Sequence, residues 1–110
     1  EADPRRPVTA MLLDDQAVVS GPLFLGPVAA VGRRAVVVRL EGIQSAEASV
    51  VLSHCDLRVR LLRGADSLLD TFAEFVSARY MDSARPGCDV LLSLRTRLPR
   101  SVRRSFRRAA

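Results

Sequence analysis

Arginine is the only basic side chain in this sequence, 17 times over, and neither lysine nor asparagine occurs. A GC-rich coding sequence is the plainer account of that bias. A chemical account also exists, because guanidinium is a planar, permanently charged donor that pairs with phosphate and stacks on bases. Three places gather such groups: Arg33 with Arg34, Arg63 beside Gly64, and the terminal run RTRLPRSVRRSFRRAA. That run contributes Arg95, Arg97, Arg100, Arg103, Arg104, Arg107 and Arg108. Other reactive types are sparse. Cys55 and Cys88 match no metal-ligand spacing and read as two reduced thiols. His54 is the single histidine. With Ser53 and Cys55 it reads as part of one strand, where neighbours alternate faces and form no nucleophile–base pair. Asp14 and Asp15 read as a turn with no third ligand near in sequence. There is no glycine-rich phosphate loop, metal cluster or paired-carboxylate signature, so a non-catalytic protein without metal or cofactor is expected.

The charge is segregated. Residues 1–94 hold ten Arg against twelve acids, a net of −2, and residues 95–110 hold seven Arg and no acid, a net of +7, which together give +5. The basic end suits a polyanion, most often nucleic acid. The bland alternative is a solvated, partly ordered terminus. Length, 110 residues, suits one domain with a modest core. No apolar run approaches the ~20 residues that cross a bilayer as a helix, so no membrane partner is expected. No basic-then-apolar leader opens the sequence, which points to the nucleus, the cytoplasm or an organelle and away from secretion.

The elements that must position these arginines read mainly as β. Residues 1–6 form a lead-in. Val8 to Leu13 suits a strand, Asp14 to Gln16 a polar turn, and Ala17 to Leu25 a second strand interrupted by Gly21 and Pro22. Residues 26–34 read as a loop, and AVVVRL at 35–40 as the clearest strand. Residues 41–48 are weak and mixed. Alternation then runs through Ser49 to Leu62, with Leu57, Val59 and Leu61 on one face, and closes at Arg63-Gly64. The period changes after that. Leu68, Leu69, Phe72, Phe75, Val76 and Arg79 follow i, i+3, i+4 spacing, which predicts a helix, with Ser67 and Asp70 as its N-terminal cap. Arg85, Pro86 and Gly87 break it, and Asp89 to Leu98 alternates weakly as a last strand. Phe72, Phe75 and Tyr80 are read as core or partner contacts.

Two phrases, in order, resemble the Sm/LSm family. VVSGPL at 18–23 fits the family's "x-G-x-L" strand, with Gly21 and Leu23 in the marked places. RVRLLRGADSLL at 58–69 fits its second motif, with Arg63 and Gly64 in place. The resemblance covers about residues 7–72. It implies a small, strongly bent, five-stranded open barrel over 7–72, with a C-terminal helix and basic extension over 73–110. A glycine within the second strand would permit the bend. The family's loop asparagine has no counterpart, and Arg34 falls near its position.

The same resemblance implies a subunit of a hetero-oligomeric Sm-like ring, closed by strand pairing between neighbouring Sm-like subunits. The ring would hold single-stranded, uridine-rich RNA in a ribonucleoprotein particle of splicing or RNA processing. Arg33, Arg34, Arg63 and Gly64 would form the rim, Arg63 stacking on a base and Gly64 admitting the backbone. Arg34 replaces an amide that donates and accepts with a donor-only group, favouring phosphate over base choice. Two alternatives stand beside this. One is a protein-interaction module on the same fold. The other is a small basic protein of a large RNA assembly such as a ribosome, anchored by residues 95–110. No small-molecule substrate is expected.

Overall fold

The computed structural model describes residues 7–16, 21–80 and 87–107. Six strands follow in chain order: β1 (Val8–Asp14), β2 (Phe24–Val31), β3 (Ala35–Glu41), β4 (Leu57–Arg63), β5 (Asp66–Tyr80) and β6 (Gly87–Leu94). Two helices, α1 (Ser45–Ser53) and α2 (Arg100–Arg107), precede β4 and follow β6. As expected, the chain is a mainly β barrel with a C-terminal helix. The barrel has six strands where five were expected. It is also closed rather than open, in the order β1-β2-β3-β6-β5-β4 with every pairing antiparallel.

Strict alternation builds four of the strands. Val8, Ala10 and Leu12 of β1, Val36, Val38 and Leu40 of β3, Leu57, Val59 and Leu61 of β4, and Cys88, Val90, Leu92 and Leu94 of β6 all point into the core. The two remaining strands turn the corners. Residues 24–27 of β2 pair with β1 and residues 28–31 with β3. Residues 66–72 of β5 pair with β4 and residues 73–80 with β6. Register shifts at Val28/Ala30, Leu61/Leu62 and Phe75/Ser77 supply the bends that closure requires.

Several expectations are corrected here. The helix expected from Leu68 to Arg79, with its Ser67–Asp70 cap, is strand β5. This strand also runs through position 72, where the Sm-like domain was expected to end. Leu69, Ala73, Phe75 and Ala78 pack against the core and Thr71 is buried, while Val76 falls at the register shift. That shift breaks the alternation, so the apolar positions mimic a helical period. The strand expected from Ser49 begins instead at Leu57, because residues 45–53 form α1. Glu47 sits in its first turn, where the helix dipole favours an acid. Ala48 and Leu52, four apart, bury into the core. Ser53, His54 and Cys55 therefore end a helix, and the His54 ring nitrogen Nδ1 lies 2.8 Å from the Val50 carbonyl oxygen.

The expected loop 26–34 is largely strand. Pro27, without an N–H, stands where β2 passes from β1 to β3. Of the expected strand 17–25, residues 17–20 lie outside the described residues, as do 1–6, and Gly21 precedes β2 with φ +138°. The bending role expected of Gly21 belongs to Gly26, where a Cβ would overlap the Arg39 carbonyl oxygen and come within 3.2 Å of Leu40 Cδ2.

The C-terminal helix arises within the arginine run. Leu98 and Val102 are buried four residues apart, so α2 is docked on the barrel. Asp14 does form a turn, its carboxylate accepting the N–H groups of Gln16 and Asp56 at 3.0 and 3.2 Å. Cys55 and Cys88 are free thiols. Among the described residues, no helix is long and apolar enough to cross a membrane.

Candidate nucleic-acid interface

The arginines divide into two populations. Three on the outer faces of the strands, Arg39, Arg58 and Arg60, are neutralised by aspartates, while Arg79 near the end of β5 forms no ion pair with any described residue. Arg58 grips Asp70 with two hydrogen bonds, Nε to Oδ1 at 2.7 Å and Nη2 to Oδ2 at 3.0 Å, and also reaches Asp15 at 3.2 Å. Arg60 donates from Nε to the same Asp70 at 3.1 Å. Arg39 holds Asp89 from Nε at 3.1 Å. The hydrogen bond from Arg58, with Arg60 beside it, holds the Asp70 carboxyl below its usual range against a smaller opposing effect of burial.

The second population has no such partners. Arg33, Arg34, Arg97, Arg100 and Arg104 form no ion pair with any described residue, and neither does Arg95. Backbone geometry collects four of them, Arg33, Arg34, Arg95 and Arg97. Gly32 and Ala35 close the β2–β3 turn, the N–H of Gly32 donating to the Ala35 carbonyl at 2.8 Å. The carbonyls of this turn then receive the chain leaving β6. The Leu94 N–H donates to the Arg34 carbonyl at 2.7 Å and the Leu98 N–H to the Arg33 carbonyl at 2.9 Å. Residues 33–34 and 95–97 are thereby held side by side, although some sixty positions apart in sequence. The N–H of Arg95 also donates to the Phe72 carbonyl at 2.9 Å, and Thr71 Oγ1 donates to Thr96 Oγ1 at 2.8 Å. The strap between β6 and α2 is thus fixed on both flanks, and buried Leu98 and Val102 carry Arg100, Arg103 and Arg104 alongside it.

Beside the strap lies a cleft of about 260 Å³ lined by Arg34, Phe72, Ala73, Glu74, Ser93, Leu94 and Arg95. The Arg95 guanidinium carbon stands 5.1 Å from the Phe72 ring centroid, a cation–π distance. A second cleft of about 420 Å³ shares Phe72, Ala73, Glu74 and Arg95, and continues to Leu52, Cys55 and Asp56 at the end of α1. Burial, and then Asp14 and Asp56, push the Cys55 thiol up from its ordinary value.

Of the arginines singled out from sequence, the structure unites Arg33 and Arg34 with Arg95 and Arg97. Arg63 and Gly64 lie elsewhere. Arg63 is only 7% exposed at the end of β4, which leaves its side chain no face for a base. Gly64 has φ +61° at the tip of the β4–β5 hairpin, the positive φ that a two-residue turn with Gly first requires. Phe72 pairs with Arg58, and Arg63 lies five positions further along β4, roughly 17 Å of strand. Arg107 lies in α2, and Arg108 is outside the described residues. Phe72 is a cleft wall rather than core. Glu74 and Ser93 were not visible as site residues in the sequence, because their neighbourhood is made by pairing β5 with β6.

Among the described residues, no cluster of His, Cys, Asp or Glu is arranged to hold a metal ion. Comparison with family models, with curated proteins and with solved structures gives no match. Fold and site together define a small closed β-barrel with an arginine-rich strap beside an aromatic cleft.

Proposed function

We propose that this chain is a non-catalytic RNA-binding module of a ribonucleoprotein assembly, holding single-stranded RNA along the β2–β3 turn, the strap and α2. One observation carries this: Arg39, Arg58 and Arg60 on the strand faces are matched to aspartates, whereas six arginines gathered at the strap form no ion pair with any described residue. Unmatched guanidinium groups beside an aromatic ring offer phosphate pairing and base stacking in one place. The Sm-like ring expected from the sequence draws no support from a closed barrel. Ring closure by neighbours needs an edge strand, and here β1 and β4 pair with each other to complete the barrel. The RNA contact is therefore assigned to a single subunit.

Fluorescence anisotropy with a labelled twelve-nucleotide RNA, at low and moderate salt, tests the function. Arg33→Gln/Arg34→Gln and Arg95→Gln/Arg97→Gln should each weaken binding about tenfold, and Arg39→Gln less than twofold. Absence of RNA binding by the unaltered chain would overturn the proposal. So would equal losses in all three variants.

A further inference from the structure

We infer that the cleft beside Arg34 and Arg95 is a base pocket that selects guanine, with Glu74 as the residue that sets the selectivity. The inference rests on the RNA-binding function proposed above and adds a base preference that a plain polyanion site would lack.

Glu74 is the anomaly of the site. It lines a cleft with Arg34 and Arg95, yet it forms no hydrogen bond or ion pair with any described residue. Asp15, Asp70 and Asp89, by contrast, are each bonded to a neighbouring arginine. Glu74 also stands opposite Ser93 across the β5–β6 pair, both exposed. Two residues earlier on the same face of β5 is Phe72, under the Arg95 guanidinium. A carboxylate acceptor, a hydroxyl, two guanidinium donors and a stacking surface therefore meet in one cleft. Its volume, about 260 Å³, lies just below the ~300–1,000 Å³ of pockets for drug-sized ligands, which suits one splayed-out base.

Donor and acceptor chemistry chooses the base. A carboxylate only accepts, so it favours an edge with adjacent donors. Guanine alone presents two, N1–H and the N2 amino group. Adenine turns its N1 acceptor toward the carboxylate. Uracil offers a single N3–H between two carbonyls, and cytosine an amino group beside an acceptor. Guanine's opposite edge carries O6 and N7, the acceptors that arginine pairs with most often. One base thus satisfies both charges of the cleft, and the other three leave Glu74 facing an acceptor.

The test compares four twelve-nucleotide RNAs by anisotropy: all uridine, and uridine with one central guanosine, adenosine or inosine. The unaltered chain should bind the guanosine strand about tenfold more tightly than the uridine or adenosine strands, the size of one good bidentate contact. Inosine, lacking the N2 amino group, should fall between. In Glu74→Gln and Glu74→Ala the guanosine advantage should collapse to less than twofold. Equal binding of all four strands by the unaltered chain, still weakened by Arg33→Gln/Arg34→Gln, would overturn the guanine pocket and leave the RNA function standing. Equal losses on every strand in both Glu74 variants, with a lowered melting temperature, would make Glu74 structural and overturn it too. No binding of any strand would overturn both.

Discussion

Single atoms decide where this barrel can bend and where its charges are already satisfied. At Gly26 the backbones of β2 and β3 approach so closely that any Cβ meets the Arg39 carbonyl oxygen. Backbone cannot swing aside as a flexible side chain can. Gly26→Ala should therefore cost about 1–3 kcal/mol of stability in chemical denaturation, as overpacking does elsewhere. Gly32 is the internal control. A Cβ there meets only the Ala35 Cβ, at an ordinary 3.7 Å, so Gly32→Ala should change stability by less than about 0.5 kcal/mol. Asp70 makes a prediction in pH. Its folded pKa is depressed, chiefly by the hydrogen bond from Arg58. The stability it contributes is thus fully present above its unfolded value, near 3.9. That contribution is lost as pH falls through the lower folded value. Melting temperature should drop more steeply below about pH 4 in the unaltered chain than in Asp70→Asn. Identical acid limbs in the two proteins would remove Asp70 from that account.

Elements were legible in the sequence where the alternation is clean, and misread where closure disturbs it. AVVVRL at 35–40 and the Leu57, Val59, Leu61 series are strands because each buries alternate side chains on one face. β5 reads as a helix because its register shift at Phe75/Ser77 moves the inward set from Phe75 to Ala78, a step of three. α1 reads as the start of a strand because Val50 and Val51 are β-branched, while only Ala48 and Leu52 face the core. The arginine run hides the anchoring of α2 for a similar reason: Leu98 and Val102 are two apolar residues among seven arginines, and their burial depends on a barrel that local pattern does not show. α2 is thus anchored by Val102, by Phe106 packed against the core, and by Leu98 just before it. Leu98→Ala should cost about 2–5 kcal/mol, the range for a buried leucine. Because Leu98 also carries the N–H that meets the Arg33 carbonyl, the same variant should weaken RNA binding although no charge is removed. A loss of stability with unchanged RNA affinity would show that the strap does not need α2 to hold its shape.

At the scale of the whole molecule, the class of fold was visible and its closure was not. Closure depends on β4 returning to β1, with Val8 opposite Arg63 and Asp14 opposite Leu57, a pairing between segments about fifty residues apart that no local motif announces. The Arg63-Gly64 pair likewise looked like a rim because it ends a strand, but burial decides its use, and Arg63 is inside. What the sequence did display was the charge asymmetry, and folding sharpens it. Three acids of the body, Asp15, Asp70 and Asp89, are spent on Arg39, Arg58 and Arg60, so the strap and α2 face a polyanion without competition from those carboxylates. Counterion release turns this into a measurable slope. For single strands, log affinity falls with log salt at about −0.7 per neutralised phosphate. If Arg33, Arg34, Arg95, Arg97, Arg100 and Arg104 each meet one phosphate, the slope should be about −4. Arg33→Gln/Arg34→Gln should make it shallower by about 1.4, and Arg39→Gln should leave it where it is, because that guanidinium is already bound to Asp89. A slope that Arg39→Gln alters as much as the double variant does would mean that RNA follows net charge over the whole barrel surface and not the strap.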